Sequence, residues 1–115
     1  MESVVVPGRK SPRTTLKVKI GSRLIYEKLA AEVFCVALEE MGLDRVAALE
    51  LTASGLPLVS KSPPQRERGN KQVGEWYVVT HSSTREKKAI LEQAAEGLEI
   101  PVEVRVVKFD FLEWL

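Results

Sequence analysis

Clustered cations are the first feature of this 115-residue chain that points to a chemistry, because exposed Lys and Arg neutralise phosphate groups. The segment KSPPQRERGNKQ at 61–72 contains four of them, Lys61, Arg66, Arg68 and Lys71. Residues 1–19 contain five more against the single acid Glu2, namely Arg9, Lys10, Arg13, Lys17 and Lys19. The sequence therefore predicts contact with a nucleic acid or another anionic partner. The alternative is that these charges only solvate a loop and a tail.

The segment THSSTREKK at 80–88 is a second candidate for anion binding, since it leads into a predicted helix. Backbone N–H groups and the helix dipole attract anions to a helix N-terminus, and three hydroxyl groups add donors there, those of Ser82, Ser83 and Thr84. Cations are unfavourable in a first turn, yet this one has Arg85, Lys87 and Lys88. The alternative is that Ser83 and Glu86 form a capping box and that the cations are ordinary surface residues.

Patterns typical of catalysis or metal binding are missing from the sequence. His81 is the only histidine and Cys35 the only cysteine, and neither has a partner at a spacing typical of an activated nucleophile. The sequence also lacks a metal-ligand cluster and a Gly-rich phosphate loop. We therefore expect no cofactor, no metal and no internal disulfide, and a non-enzymatic role is favoured.

The C-terminal segment FDFLEWL at 109–115 is too apolar to be left together in water. Its large apolar residues are Phe109, Phe111, Leu112, Trp114 and Leu115. Either they pack on the chain's own core, or they form an interface in which the aromatic residues anchor a partner.

Apolar periodicity predicts two strand-helix-strand units. The first has a strand at 16–20, a helix from Arg23 to Met41 after a Gly21-Ser22 cap, and a strand at 46–53 that resumes at 56–59. The second has a strand at 73–81, a helix from the Ser83 cap to Gly97, and a strand at 102–106. Joined by a hairpin at 61–72, they predict an α+β, ferredoxin-like βαββαβ fold, with a four-stranded antiparallel sheet and both helices on one face. The wide apolar face of the first helix predicts cover by the sheet or by a second subunit.

One face of such a sheet stays open, and Lys17, Lys19, Glu103 and Arg105 are predicted to share it. Either Trp76 or Tyr77 joins them, depending on register, and Tyr77 is the candidate for stacking on a base. The strand VGEWYVVTH loosely resembles the third strand of the RNA recognition motif, which has the same element order. That family has an aromatic in its first strand where this chain has Leu, Lys and Val, so membership is not inferred. A plain solvated face is the alternative.

The length and composition of the chain predict one globular domain, since the chain is 44% hydrophobic and 29% charged with a net charge of +1. The N-terminus lacks the apolar core of a signal peptide and no segment is apolar enough to span a membrane, which predicts a cytoplasmic protein without a membrane partner. The predicted organisation is a flexible basic arm at 1–13, the domain at 14–108 with its hairpin loop at 61–72, and the apolar tail at 109–115. The predicted function is non-enzymatic binding of RNA or single-stranded DNA. The alternative is an interaction or assembly module, such as a homodimer, that uses the first helix and the tail.

Overall fold

A computed structural model describes residues 14–63 and 69–109, which form eight strands and three helices. The strands are β1 (Thr14–Ile20), β2 (Arg23–Tyr26), β3 (Thr52–Ala53), β4 (Leu56–Pro57), β5 (Val59–Ser60), β6 (Asn70–Val73), β7 (Trp76–Val79) and β8 (Val102–Lys108). The helices are α1 (Ala30–Met41), α2 (Leu43–Ala48) and α3 (Thr84–Leu98). The described strands form three antiparallel sheets, with the orders β2-β1-β8, β3-β4 and β5-β7-β6.

The predicted ferredoxin-like fold is wrong, because the described strands do not form one four-stranded sheet with two helices on one face. The first error lies at Gly21-Ser22, which is a two-residue turn between β1 and β2 rather than a helix cap. Gly21 has a φ of +59°, and a positive φ at the first turn residue is what a type II′ hairpin turn requires. Residues 23–26 are therefore a strand, and α1 begins seven residues later than predicted, at Ala30.

The predicted second strand at 46–53 is also wrong over most of its length. Residues 43–48 form the short helix α2, and the buried side chain of Val46 faces the core from this helix. Only Thr52 and Ala53 are extended, and they pair with Leu56 and Pro57 across a Ser54-Gly55 turn. Both turn residues have positive φ, +55° and +77°, as a type I′ turn demands.

The predicted third strand at 73–81 is in fact part of a hairpin. Gly74 and Glu75 form a two-residue turn, so that Val73 at the end of β6 pairs with Trp76 at the start of β7. The strands on either side of the basic segment, β5 and β6, are not paired with each other but lie on opposite sides of β7. They therefore do not form the predicted hairpin.

The sheet β2-β1-β8 agrees with the strands predicted at 16–20 and 102–106. β1 lies between β2 and β8, and its register with β8 runs from Thr14 opposite Lys108 to Ile20 opposite Val102. Leu16 and Val18 are fully buried on the face that α1 and α3 cover.

The apolar face of α1 is covered by the chain itself. Six of its twelve residues are buried, and they belong to the same core cluster as buried residues of the sheets and of α3. A second subunit is therefore not needed to explain this face. None of the three described helices has both the length and the apolar character that crossing a membrane requires.

The start of α3 confirms the predicted capping box. The Glu86 backbone N–H donates to Ser83 Oγ at 3.1 Å, and the Ser83 N–H donates to Glu86 Oε1 at 2.7 Å. These hydrogen bonds to Ser83 lower the pKa of Glu86. The helix ends at Leu98, one residue after the predicted Gly97, and Glu99 adopts the left-handed conformation at its C-terminus. A Cβ at Gly97 would lie 3.0 Å from Leu49 Cδ2, so this glycine permits close packing.

Candidate functional site

The face of the β2-β1-β8 sheet turned away from the helices, called the outer face below, combines basic, acidic and apolar side chains in two cross-strand rows. In the first row, Lys17 of β1 lies opposite Tyr26 of β2 and Arg105 of β8. In the second row, Lys19 lies opposite Leu24 and Glu103. Antiparallel partners project to the same side of a sheet, so the register places all of these side chains on one face. The predicted grouping of Lys17, Lys19, Glu103 and Arg105 thus corresponds to a real surface.

Among the described residues that the strand register places on the outer face, three are cations and one is a carboxylate. Glu103 Oε2 accepts hydrogen bonds from Arg105 Nε at 3.1 Å and from Arg105 Nη2 at 2.9 Å. The two side chains are 56% and 69% exposed, so the pair adds little to stability. A shallow cavity of about 140 Å³ lies over these residues and is lined by Lys17, Lys19, Leu24, Glu103 and Arg105.

Tyr26 is an aromatic side chain of this face that the sequence prediction missed. Lys17 Nζ lies 4.7 Å from the centroid of the Tyr26 ring, and the ring of Phe109 lies 5.7 Å from it at an interplanar angle of 38°. The predicted helix includes residues 23–26, so the prediction does not place Tyr26 on the sheet. The Gly21-Ser22 pair, read as a hairpin turn, would have placed it opposite Lys17.

Tyr77 and Trp76 do not join the outer face, because both belong to β7 in the separate sheet β5-β7-β6. Trp76 packs against the core, whereas Tyr77 is half-buried on the opposite side of its strand, between Ser60 and Gln72.

Two of the four predicted cations of the 61–72 segment, Lys61 and Lys71, are described and exposed. Lys61 Nζ lies 3.7 Å from Glu75 Oε1 and 5.0 Å from the Trp76 ring centroid. Lys71 belongs to β6, where it lies opposite Val78 of β7. The structure therefore places these cations on a different sheet from Lys17 and Lys19. Other predicted residues lie outside the described part of the chain, namely Arg66 and Arg68 of the same segment and Phe111, Leu112, Trp114 and Leu115 of the tail.

The predicted anion site at the start of α3 is already occupied by groups of the chain itself. Ser83 Oγ accepts from the Glu86 N–H, and the Glu86 carboxylate supplies a negative charge at the helix end. Ser82 Oγ is within 3.1 Å of Lys87 Nζ, and Thr84 Oγ1 lies 3.5 Å from Thr14 Oγ1.

The three cations near this helix end differ in their exposure. Arg85 is exposed, and Lys88 forms an i,i+4 ion pair with Glu92 at 2.9 Å. Lys87 is only 5% exposed. Its ammonium group donates to the carbonyl oxygens of Thr80 at 2.8 Å and Ser82 at 2.6 Å as well as to Ser82 Oγ. These three acceptors use all three of its donors, and burial lowers the pKa of Lys87. The Lys87 ammonium group therefore binds Thr80 and Ser82 inside the protein instead of contacting a phosphate.

The two residues considered for catalysis lie apart from the outer face. His81 is exposed, its backbone N–H donates to the Gly69 carbonyl, and its own carbonyl accepts from Ser54 Oγ. Cys35 is a buried thiol of α1 whose pKa is raised by burial. Within residues 14–63 and 69–109, no group of three or more His, Cys, Asp or Glu side chains is placed to hold a metal ion.

Comparison of the chain with models of protein families, with curated proteins and with solved structures gives no match in any of the three.

Proposed function

We propose that this chain is a small non-enzymatic domain that binds single-stranded nucleic acid on the outer face of the β2-β1-β8 sheet. The observation that carries the proposal is the first cross-strand row, in which Lys17 lies between Tyr26 and Arg105. Aromatic rings stack on bases of any sequence, and Lys and Arg pair with phosphates. A sheet face with both groups side by side matches the chemistry of a single strand better than that of a duplex, whose bases are stacked inside.

Binding by Lys17, Lys19 and Arg105 predicts a defined dependence on salt. Each phosphate contact on a single strand contributes about −0.7 to the slope of log affinity against log salt, so three contacts give about −2. The measurement is fluorescence anisotropy of labelled single-stranded RNA and DNA, repeated over a series of salt concentrations. We expect the Lys19→Gln/Arg105→Gln variant to flatten the slope by about 1.4.

A matched variant controls for overall charge. Lys28 and Arg45 are exposed cations outside the outer face, so Lys28→Gln/Arg45→Gln removes the same charge and should leave the slope nearly unchanged. The two tyrosines give a second comparison: Tyr26→Leu should lose about 1 to 3 kcal/mol of affinity, and Tyr77→Leu much less. The proposal fails if no single strand binds more tightly than about 100 μM at about 50 mM salt, or if both charge variants weaken binding equally.

A protein interface is the second candidate function, because Leu24 on the same face is 59% exposed. A large apolar side chain at the edge strand β2 can anchor a second copy of the chain. If it does, sedimentation velocity will show a dimer that Leu24→Ser weakens. Leu29, which is 38% exposed and precedes α1, provides the control variant Leu29→Ser. A wild-type protein that sediments as a monomer at every concentration would exclude this second function.

A further inference from the structure

We infer that the pair of Glu103 and Arg105 reads guanine in the bound strand, an inference that rests on the proposed function. It follows from the acidic residue of the outer face, which phosphate binding does not explain. Glu103 lies opposite Lys19, among the cations that would bind phosphate, and lines the same cavity. A carboxylate repels phosphates and only accepts hydrogen bonds, so a ligand group that binds to it is a hydrogen-bond donor. In a single strand such donors are found on the exposed edges of the bases.

The geometry of the pair places a donor group next to an acceptor group. Arg105 holds Glu103 Oε2 through Nε and Nη2, at 3.1 and 2.9 Å. The guanidinium has five N–H donors in all, and so it retains others for a ligand, while the carboxylate has about four lone-pair sites to share. A base edge that lies across both side chains therefore has to present an acceptor to Arg105 and, next to it, donors to Glu103.

Guanine is the base whose edge has this order. Its Watson–Crick edge presents the O6 acceptor and then two adjacent donors, N1–H and the N2 amino group. Adenine and cytosine place a ring acceptor beside their amino group, and uracil or thymine has a single donor between two acceptors. Arginine commonly donates to guanine O6, which belongs to this edge as well as to the edge that carries N7.

The size of the cavity agrees with the recognition of one base. Its volume of about 140 Å³ is well below the roughly 300 to 1,000 Å³ of sites that enclose a drug-sized ligand. Leu24 and the aliphatic stem of Lys19 supply apolar surface beside the charged pair, and Tyr26 in the neighbouring row is placed to stack on the next base.

The test uses oligouridine heptamers whose central base is guanine, adenine, cytosine or uracil, with affinities measured by anisotropy. For the wild type we expect the guanine heptamer to bind roughly 5- to 10-fold more tightly than the others, the low end of what one bidentate pair gives. Glu103→Gln should abolish this preference while all-uridine binding stays the same or improves, since a negative charge is lost. Glu96→Gln, which removes an exposed carboxylate from α3, should preserve the preference.

The outcomes separate this inference from the proposed function. If all four heptamers bind equally with the expected salt slope, base reading is wrong and the proposed function stands. A guanine preference that survives in Glu103→Gln also overturns the assignment of the reading residue. If no heptamer binds more tightly than about 100 μM at about 50 mM salt, the proposed function fails together with the inference.

Discussion

Replacing Lys87 with Met lowers the free energy of unfolding by about 2 kcal/mol, because two carbonyl oxygens and a hydroxyl lose a charged donor. Met keeps most of the aliphatic stem, so the loss reports the ammonium group rather than a cavity. The estimate is smaller than the sum of three hydrogen bonds to a charged group, since the variant also no longer has to desolvate a cation. The measurement is urea unfolding of both proteins, in which the midpoint should fall while the dependence of the free energy on urea concentration stays the same.

The neighbouring residue provides the control for this prediction. Lys88 is more exposed and pairs only with Glu92, so Lys88→Met should change stability by no more than about 0.5 kcal/mol. Equal effects of the two substitutions would contradict the internal role of Lys87.

The buried ammonium group of Lys87 should also make the stability of the protein depend on pH. Because the pKa of Lys87 is lowered from its ordinary 10.5, the unfolded chain binds this proton more tightly than the folded chain does. The stability of the wild type relative to Lys87→Met should therefore rise with pH between the lowered pKa and 10.5. A difference that does not change over this interval would argue against burial of the charge.

Replacing Gly69 with Ala destabilises the fold by about 2 to 4 kcal/mol, for two separable reasons. The φ of Gly69 is +78°, which is strained for any residue with a Cβ. The added Cβ would also lie 2.7 Å from His81 Cβ, closer than two carbon atoms approach. The neighbouring segment cannot easily yield, because Thr80 and His81 both donate backbone hydrogen bonds to the Gly69 carbonyl, at 2.7 and 3.0 Å.

Gly74 provides a control that separates the cost of backbone strain from the cost of the contact with His81. Gly74 has a φ of +62°, and nothing lies within 4 Å of the position of its Cβ, so Gly74→Ala should cost only the strain of about 1 to 2 kcal/mol. In a His81→Gly background the penalty of Gly69→Ala should fall to that of Gly74→Ala. An unchanged penalty in this double-mutant cycle would show that the contact with His81 is not its cause.

Local signals in the sequence predicted several elements, because they depend on neighbouring residues alone. The alternation of Leu16, Val18 and Ile20 gave the strand β1, and Ser83 with Glu86 gave the capping box of α3. The alternation of Val102, Val104 and Val106 gave β8, and α1 ends at Met41 as predicted.

Two-residue turns account for most of what the prediction missed. Gly21-Ser22 fits a helix cap and a hairpin turn equally well, and Ile25 and Leu29 satisfy helical spacing although Ile25 belongs to a strand. Gly74-Glu75 divided a run of β-branched and aromatic residues into two strands. Once these turns were misassigned, the order of strands in the sheets could not be recovered.

The candidate site was predicted in part. Strand alternation predicted that Lys17 and Lys19 share a face of one strand and that Glu103 and Arg105 share a face of another, and the predicted sheet put all four on its open side. That both pairs meet on the same surface depends on pairing of β1 with β8, which no local pattern specifies. Lys87 was assigned to the surface because buried lysines are rare, and its three acceptors come from residues whose backbone geometry the sequence does not reveal.

The pairing of β1 with β8 also fixes the order in which the outer face is completed during synthesis. The hairpin of β1 and β2 closes over two residues and can form early, whereas β8 emerges after every other described element. Until then Lys17, Lys19 and Tyr26 lack Glu103 and Arg105, and one edge of β1 is left unpaired. A pairing between such distant segments is slow to form, and an unpaired edge invites association with other chains. If the outer face binds nucleic acid as proposed, a nascent chain would carry Lys17 and Lys19 for phosphates before it carries Glu103 and Arg105 for a base.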